Sequence, residues 1–399
     1  MNPLRRVTST LATAVTVCGL VAGLATPAAH AAPDFYTAPI GFDTTPGAVL
    51  ATKVSALPVG SRGKGSATTV LYTSRQVDGT PVAVSGTYYV PTVRWQGRNA
   101  QPTVVVGAGT VGQGDQCAPS RAPGRQAPVL DLLDRGFRVF QTDYIGLGTP
   151  GEHTYLNRIE QGNAMIDGAR AALRVGNTGP RTPIAFWGYS QGGAASGAAI
   201  ELVAARAPEL DVKGAYVGAP PADLSVVLAT VDGTAQVGTL GYALNGFAAR
   251  YPAVKALLQT AVDADGTRAL TALSTQCVAE SVARYRYTKS SKWTTSGLSL
   301  PAVLALDPGA RDVLEQQRLG GARPAAPVLV ESAVDDDLVP HAQVTALVAR
   351  WRASGASVTY REDKGSRLSV PGSGAAHTAP LRSNAGPAGD FLTGLFDAG

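Results

Sequence analysis

Four apolar residues, Ile184-Ala185-Phe186-Trp187, run straight into Gly188-Tyr189-Ser190-Gln191-Gly192-Gly193. That order reads as strand, sharp turn, helix. The turn has the form G-x-S-x-G, in which a strained strand-to-helix turn lifts a serine hydroxyl clear of a sheet. The flanking glycines follow from the geometry, because the turn presses helix backbone against strand backbone and a side chain there would clash. With 46 Gly in 399 residues, the pattern alone says little. Its context says more: Ala194-Ala195-Ser196-Gly197-Ala198-Ala199-Ile200 supplies small residues with which a helix packs closely on a sheet.

The rest of the chain supplies partners for that strand. Residues 32–60 read as an extended lead-in rich in Pro, Gly and Thr. Residues 68–74 and 82–90 are β-type runs on either side of Asp78-Gly79, a turn signal, and predict an antiparallel pair. Short apolar runs at 103–106, 137–144, 212–218, 327–332 and 358–360 predict further strands. Helical stretches at 126–136, 157–175, 342–353 and 386–396 alternate with them, which argues for parallel βαβ units. From about residue 219 to 321 the chain turns Ala/Leu-rich with few strand signals, and reads as a helical cap inserted into the domain.

The N-terminus reads as an address and not as part of the fold. Arg5-Arg6 precede a short apolar stretch and the A-x-A site Ala29-His30-Ala31, so residues 1–31 are expected to be a signal peptide and 32–399 the mature domain. Val17 before Cys18 is not the small residue a lipoprotein signal needs, so a released, extracellular protein is expected. Cleavage removes two arginines and no acids, which lowers the formal charge from +5 to +3. No Lys/Arg cluster with interleaved aromatics appears, and a nucleic-acid partner is not implied. Cleavage also leaves two cysteines, Cys117 and Cys277, and an even pair in an exported chain reads as one disulfide.

A serine hydroxyl is a weak nucleophile at neutral pH and needs a base, itself oriented by a third group. Past residue 31 the histidines are His153, His341 and His377. His377 lies in a late Gly/Ser-rich loop and suits an order of serine, acid, histidine, the order of an α/β-hydrolase. His153 and His341 are pocket candidates at most. The acid belongs in the turn after a late strand, where Asp335, Asp336 and Asp337 compete. Asp336 is the choice and Asp337 the runner-up. An oxyanion needs preorganised donors. Gln191 offers its backbone N–H, and a second donor is expected from the glycine-rich loop around Gly109-Thr110-Val111, with Thr110 as candidate. No H-E-x-x-H and no Cys/His cluster is present, so no metal or organic cofactor is implied.

Four segments together resemble the secretory lipase family, the α/β-hydrolase family that includes fungal lipase A and many actinobacterial exported lipases. They are Gly188–Gly192, Gly109-Thr110 with residues 115–120, Asp143-Tyr144 with residues 146–151, and residues 336–340. The likeness runs from about residue 35 to the C-terminus. It implies a triad of Ser190, Asp336 and His377, a family-type Cys117–Cys277 bridge, and a lid over an acyl pocket. Two departures stand out. Glu331-Ser332-Ala333 replaces an expected Gln-Gly type turn, and Ala108 precludes a side-chain oxyanion donor at that position. The expectation is an exported serine hydrolase acting on lipid or small ester substrates, in solution or at a lipid–water interface, with no stable protein partner. The alternatives are an acyltransferase or peptidase on the same fold, or a catalytically silent surface-binding protein.

Overall fold

The strands are β1 (Val49–Ser55), β2 (Gly65–Arg75), β3 (Pro81–Pro91), β4 (Thr103–Gly107), β5 (Arg138–Thr142), β6 (Ile184–Tyr189), β7 (Val212–Gly218), β8 (Val328–Ala333) and β9 (Val358–Asp363). They make one sheet in the order β1-β2-β3-β5-β4-β6-β7-β8-β9. The first three meander antiparallel and β3 runs antiparallel to β5, while β5, β4, β6, β7, β8 and β9 are mutually parallel. This is a computed structural model, and it describes residues 34–398 apart from 62, 365–369 and 384. The expected signal peptide therefore lies outside the described residues, and the fold below is that of the unit beginning at Phe35.

Parallel strands covered on both faces read as unbroken apolar runs, and β4 and β6 are buried along their whole length. Their side chains alternate between the two faces. Ile184 and Phe186 of β6 join one core cluster, and Ala185, Trp187 and Tyr189 join the other. On the first face lie α2 (Arg158–Val175) and α3 (Gln191–Arg206), reached after α1 (Ala127–Asp134), which covers the second face. Between β7 and β8 come seven helices: α4 (Leu224–Val231), α5 (Gly238–Arg250), α6 (Pro252–Ala261), α7 (Ala264–Leu273), α8 (Val278–Tyr285), α9 (Leu300–Leu306) and α10 (Pro308–Gln316). Their buried residues, Leu240, Phe247 and Leu304 among them, continue the first-face core. The chain closes with α11 (His341–Ala353), the short α12 (Ala375–Thr378) and α13 (Pro380–Ser383), and α14 (Ala385–Asp397).

The lead-in differs from expectation, because residues 49–55 pair with β2 as an edge strand. An edge strand with little to bury leaves no apolar run to find, and Val54 is largely exposed. The Cys117–Cys277 disulfide is present, with Cα atoms 5.5 Å apart. Among the described residues no helix is long and apolar enough to cross a membrane.

Candidate active site

Ser190 sits between β6 and α3 with φ 58° and ψ −122°, a conformation that costs a non-glycine residue on the order of 1–3 kcal/mol. Packing of bare backbone holds it there. A Cβ on Gly188 would lie 1.8 Å from the carbonyl oxygen of Gly192, and one on Gly192 would lie 2.2 Å from that of Gly107. The Ser190 N–H donates to the Gly218 carbonyl at 2.9 Å, which ties the turn to β7. The serine oxygen is thereby presented at the C-terminal edge of the sheet.

His377 reaches it from α12. Its Nε2 lies 2.8 Å from Ser190 Oγ and its Nδ1 lies 2.8 Å from Asp336 Oδ2. With a carboxylate at Nδ1, the neutral ring carries its proton there and turns the Nε2 lone pair toward the serine. Asp336 Oδ1 accepts the N–H groups of Leu338 and Val339 at 3.0 and 2.8 Å, an arrangement that aims its other oxygen at the ring. The Asp336 side chain is wholly shielded from solvent, and that of His377 nearly so.

The neighbouring aspartate does a different job. Asp337 accepts the N–H of Gly374 through Oδ2 at 2.8 Å and that of His377 through Oδ1 at 3.1 Å. The Tyr189 hydroxyl donates to the His377 carbonyl at 2.6 Å. Burial, together with Asp336 and Glu331 nearby, pushes the Tyr189 phenol well up, so it stays a donor. The histidine is thus gripped at both ring nitrogens and at both backbone groups.

Gln191 is the first residue of α3, where an N–H has no partner within the helix. Its side chain is buried against His153, with Gln191 Nε2 3.1 Å from His153 Nε2. His153 Nδ1 meets the Ile145 carbonyl at 3.2 Å, which makes Nε2 the acceptor for the glutamine. Burial holds the His153 imidazole down to about 4 and hence neutral. His153 lies behind the elbow and does not line the cavity. His341 lies elsewhere too, with Nε2 2.7 Å from the Tyr360 hydroxyl. Thr110 does line the cavity, and its Oγ1 meets the Tyr155 hydroxyl at 2.7 Å. The glycine-rich loop around it is fastened to the helices between β7 and β8. Val278 N–H donates to Val111 O at 2.8 Å, Gln113 N–H to Gln276 O at 3.0 Å, and the disulfide lies alongside.

Ser190 and His377 open on a cavity of about 640 Å³. Toward α4 its wall is mostly apolar, with Leu156, Val227, Leu228, Val231, Leu338 and Val339, and Gln236 and Thr239 complete it. Toward α1 it is mixed, with Gln126, Asp131, Thr378, Trp187 and Leu381. A serine, a histidine and an aspartate in contact, beside a backbone N–H and a largely apolar chamber, form an arrangement capable of acyl transfer. Among the described residues no three His, Cys, Asp or Glu side chains gather to hold a metal ion. Residue order had pointed to Ser190, Asp336 and His377, and the fold brings all three together. Asp337, the runner-up for the acid, binds the backbone of His377 and not its ring, and His153, a pocket candidate, binds Gln191 behind the elbow. The contact of Tyr189 with His377 has no sequence signal beyond the place of Tyr189 inside the elbow motif.

The family model described as secretory lipase matches residues 126–397. A Mycobacterium tuberculosis protein named "Probable inactive lipase" is 29% identical over 356 residues, which is 82% of this chain and 76% of that protein. A Malassezia furfur protein named "Secreted triacylglycerol lipase" is 28% identical over 269 residues, 62% of this chain and 68% of its own length. The solved structure of Candida antarctica lipase A in its closed state matches with a TM-score of 0.76 at 20% identity, over 92% of this chain and 86% of that one. At that identity the likeness is one of fold, and the fold is the α/β-hydrolase.

Proposed function

The chain belongs to the secretory lipase family of carboxylic ester hydrolases, and from that premise we propose that it is an exported lipase or esterase working through an acyl-enzyme on Ser190. His377 takes the Ser190 proton as the hydroxyl attacks the ester carbonyl, then gives it to the departing alcohol. Asp336 keeps the ring in the required tautomer and balances the charge it gains. The oxyanion meets the N–H of Gln191, with Thr110 in the adjoining loop as the second donor. Water, activated by His377, releases the acid. The helices between β7 and β8 act as a lid over the acyl chamber, and residues 1–31 are removed on export.

The observation that carries this reading is the contact of Ser190 Oγ with His377 Nε2 and of His377 Nδ1 with Asp336, at 2.8 Å each, beside a largely apolar cavity. Acylglycerols fit the same features. A relative named inactive motivates the opposite reading, a protein that keeps the fold without turnover. Hydrolysis of p-nitrophenyl esters from acetate to palmitate, by the mature protein beside Ser190→Ala, separates the two. Turnover that falls by about 10⁴-fold or more in the variant supports the reading. Equal rates in both proteins, or none in either, would sink it for these esters.

A further inference from the structure

Leu228 of α4 lines two cavities at once. One is the chamber above Ser190. The other is a cleft of about 240 Å³ between α4, α9 and α10, lined by Leu304, Leu314 and Pro301 together with the charged Asp223, Arg311, Glu315 and Arg318. Leu228 is only 2% exposed, so its side chain is packed between them and not flung to the surface.

The two directions out of Ser190 are not equivalent. The mixed wall toward α1 suits the departing alcohol, and the mostly apolar wall toward α4 suits an acyl chain. An acyl chain growing in that direction runs into Leu228. Each methylene that finds apolar room strengthens binding several-fold, and one that meets a wall gains nothing. We propose that Leu228 closes the acyl arm and sets the longest chain accepted, with the cleft behind it as a latent continuation of that arm. The proposal rests on the ester-hydrolase reading. The helix around Leu228 is independently anchored. Asp223 caps the N-terminus of α4 by accepting from Ser225 N–H at 3.1 Å, and Arg318 pairs with Asp223 at 2.8 Å. Trimming Leu228 therefore opens the wall while the backbone stays.

The test compares the wild type with Leu228→Ala and Leu228→Phe on p-nitrophenyl esters from butyrate to stearate. The palmitate-to-octanoate ratio of kcat/KM is expected to rise about tenfold in Leu228→Ala and to fall in Leu228→Phe. A ratio that moves in neither variant, with octanoate still turned over, overturns the proposal. A second series does not depend on turnover. Fatty acids from octanoate to stearate displace a fluorescent fatty acid from Ser190→Ala and from Ser190→Ala/Leu228→Ala. The preferred length is expected to increase in the double variant, and an unchanged order of affinity overturns the proposal. If the wild type hydrolyses no ester, the functional reading falls and the displacement series alone decides the inference. Should Leu228→Ala fail to fold, Leu228→Val is expected to shift the ratio in the same direction by less, and no shift counts against the proposal.

Discussion

The elbow around Ser190 is held by bare backbone packed against bare backbone, whereas the loop around His377 is held by side chains that grip it. At the elbow, a Cβ on Gly188 would meet the Gly192 carbonyl. At the loop, Asp337 and Tyr189 bind the histidine's own N–H and carbonyl. The first kind of support is part of the fold, since removing it means moving β6 against α3. The second can be weakened while the sheet stays as it is. Damage to the two halves of one site should therefore look different. At the elbow, activity and stability fall together. At the loop, activity falls further than stability.

The largest effect is expected from Asp336→Asn, which keeps the shape but turns the ring to the wrong tautomer. A loss of about 10⁴-fold in kcat, with an unchanged circular dichroism spectrum, is expected. A loss below about tenfold would transfer the role to another acid. Next comes Gly188→Ala. Its methyl group has no room, so a stability loss of at least about 3 kcal/mol in urea unfolding should accompany the loss of turnover. A stable, folded Gly188→Ala protein would break the contrast from the elbow side. Asp337→Asn is milder. One of two backbone hydrogen bonds is lost and the imidazole is less well placed, so kcat/KM should drop by about 10- to 100-fold while stability falls by about 1–2 kcal/mol. If it unfolds the protein as readily as Gly188→Ala, the contrast breaks from the loop side.

The smallest effect concerns His153, behind the elbow. Burial holds its imidazole down to about 4 from an ordinary 6.5, so the unfolded chain takes up the proton first on acidification. Its contribution to stability is present above about pH 6.5 and is lost as pH falls toward about 4. Asp143, raised by burial to about 6, and Glu331, raised by burial to about 7, act in the opposite sense. A difference measurement isolates the histidine. The stability gap between wild type and His153→Gln should shrink by on the order of 3 kcal/mol between about pH 7 and pH 4. A gap that stays constant across that range would show that the imidazole is not held neutral.

The same contrast explains which parts of the site are legible in the sequence. The elbow was legible because its constraints are local: an apolar strand, two obligatory glycines and a run of small helical residues lie within 17 positions of sequence. Residue order sufficed for His377, and cysteine arithmetic for Cys117 and Cys277. The choice between Asp336 and Asp337 was another matter. Both are acids on one turn, and only the N–H groups of Leu338 and Val339, which take one Asp336 oxygen, decide which carboxylate faces the ring. The role of His153 was hidden because its partner Gln191 lies 38 residues away. The first strand leaves no signal in the sequence because it is an edge with little apolar surface to bury.

The Cys117–Cys277 bond closes a covalent ring of chain that contains Ser190 but neither Asp336 nor His377. Ser190 and His377 thus belong to two topologically separate parts. A single protease cut at any peptide bond between Cys117 and Cys277 leaves two pieces still joined by the bridge. A cut between α8 and β8 instead frees a C-terminal fragment that carries Asp336 and His377, held afterwards by noncovalent contacts alone, the β7–β8 pairing among them. The two kinds of nick can be told apart on a non-reducing gel, and only the second lets the serine part company with its histidine by simple dilution.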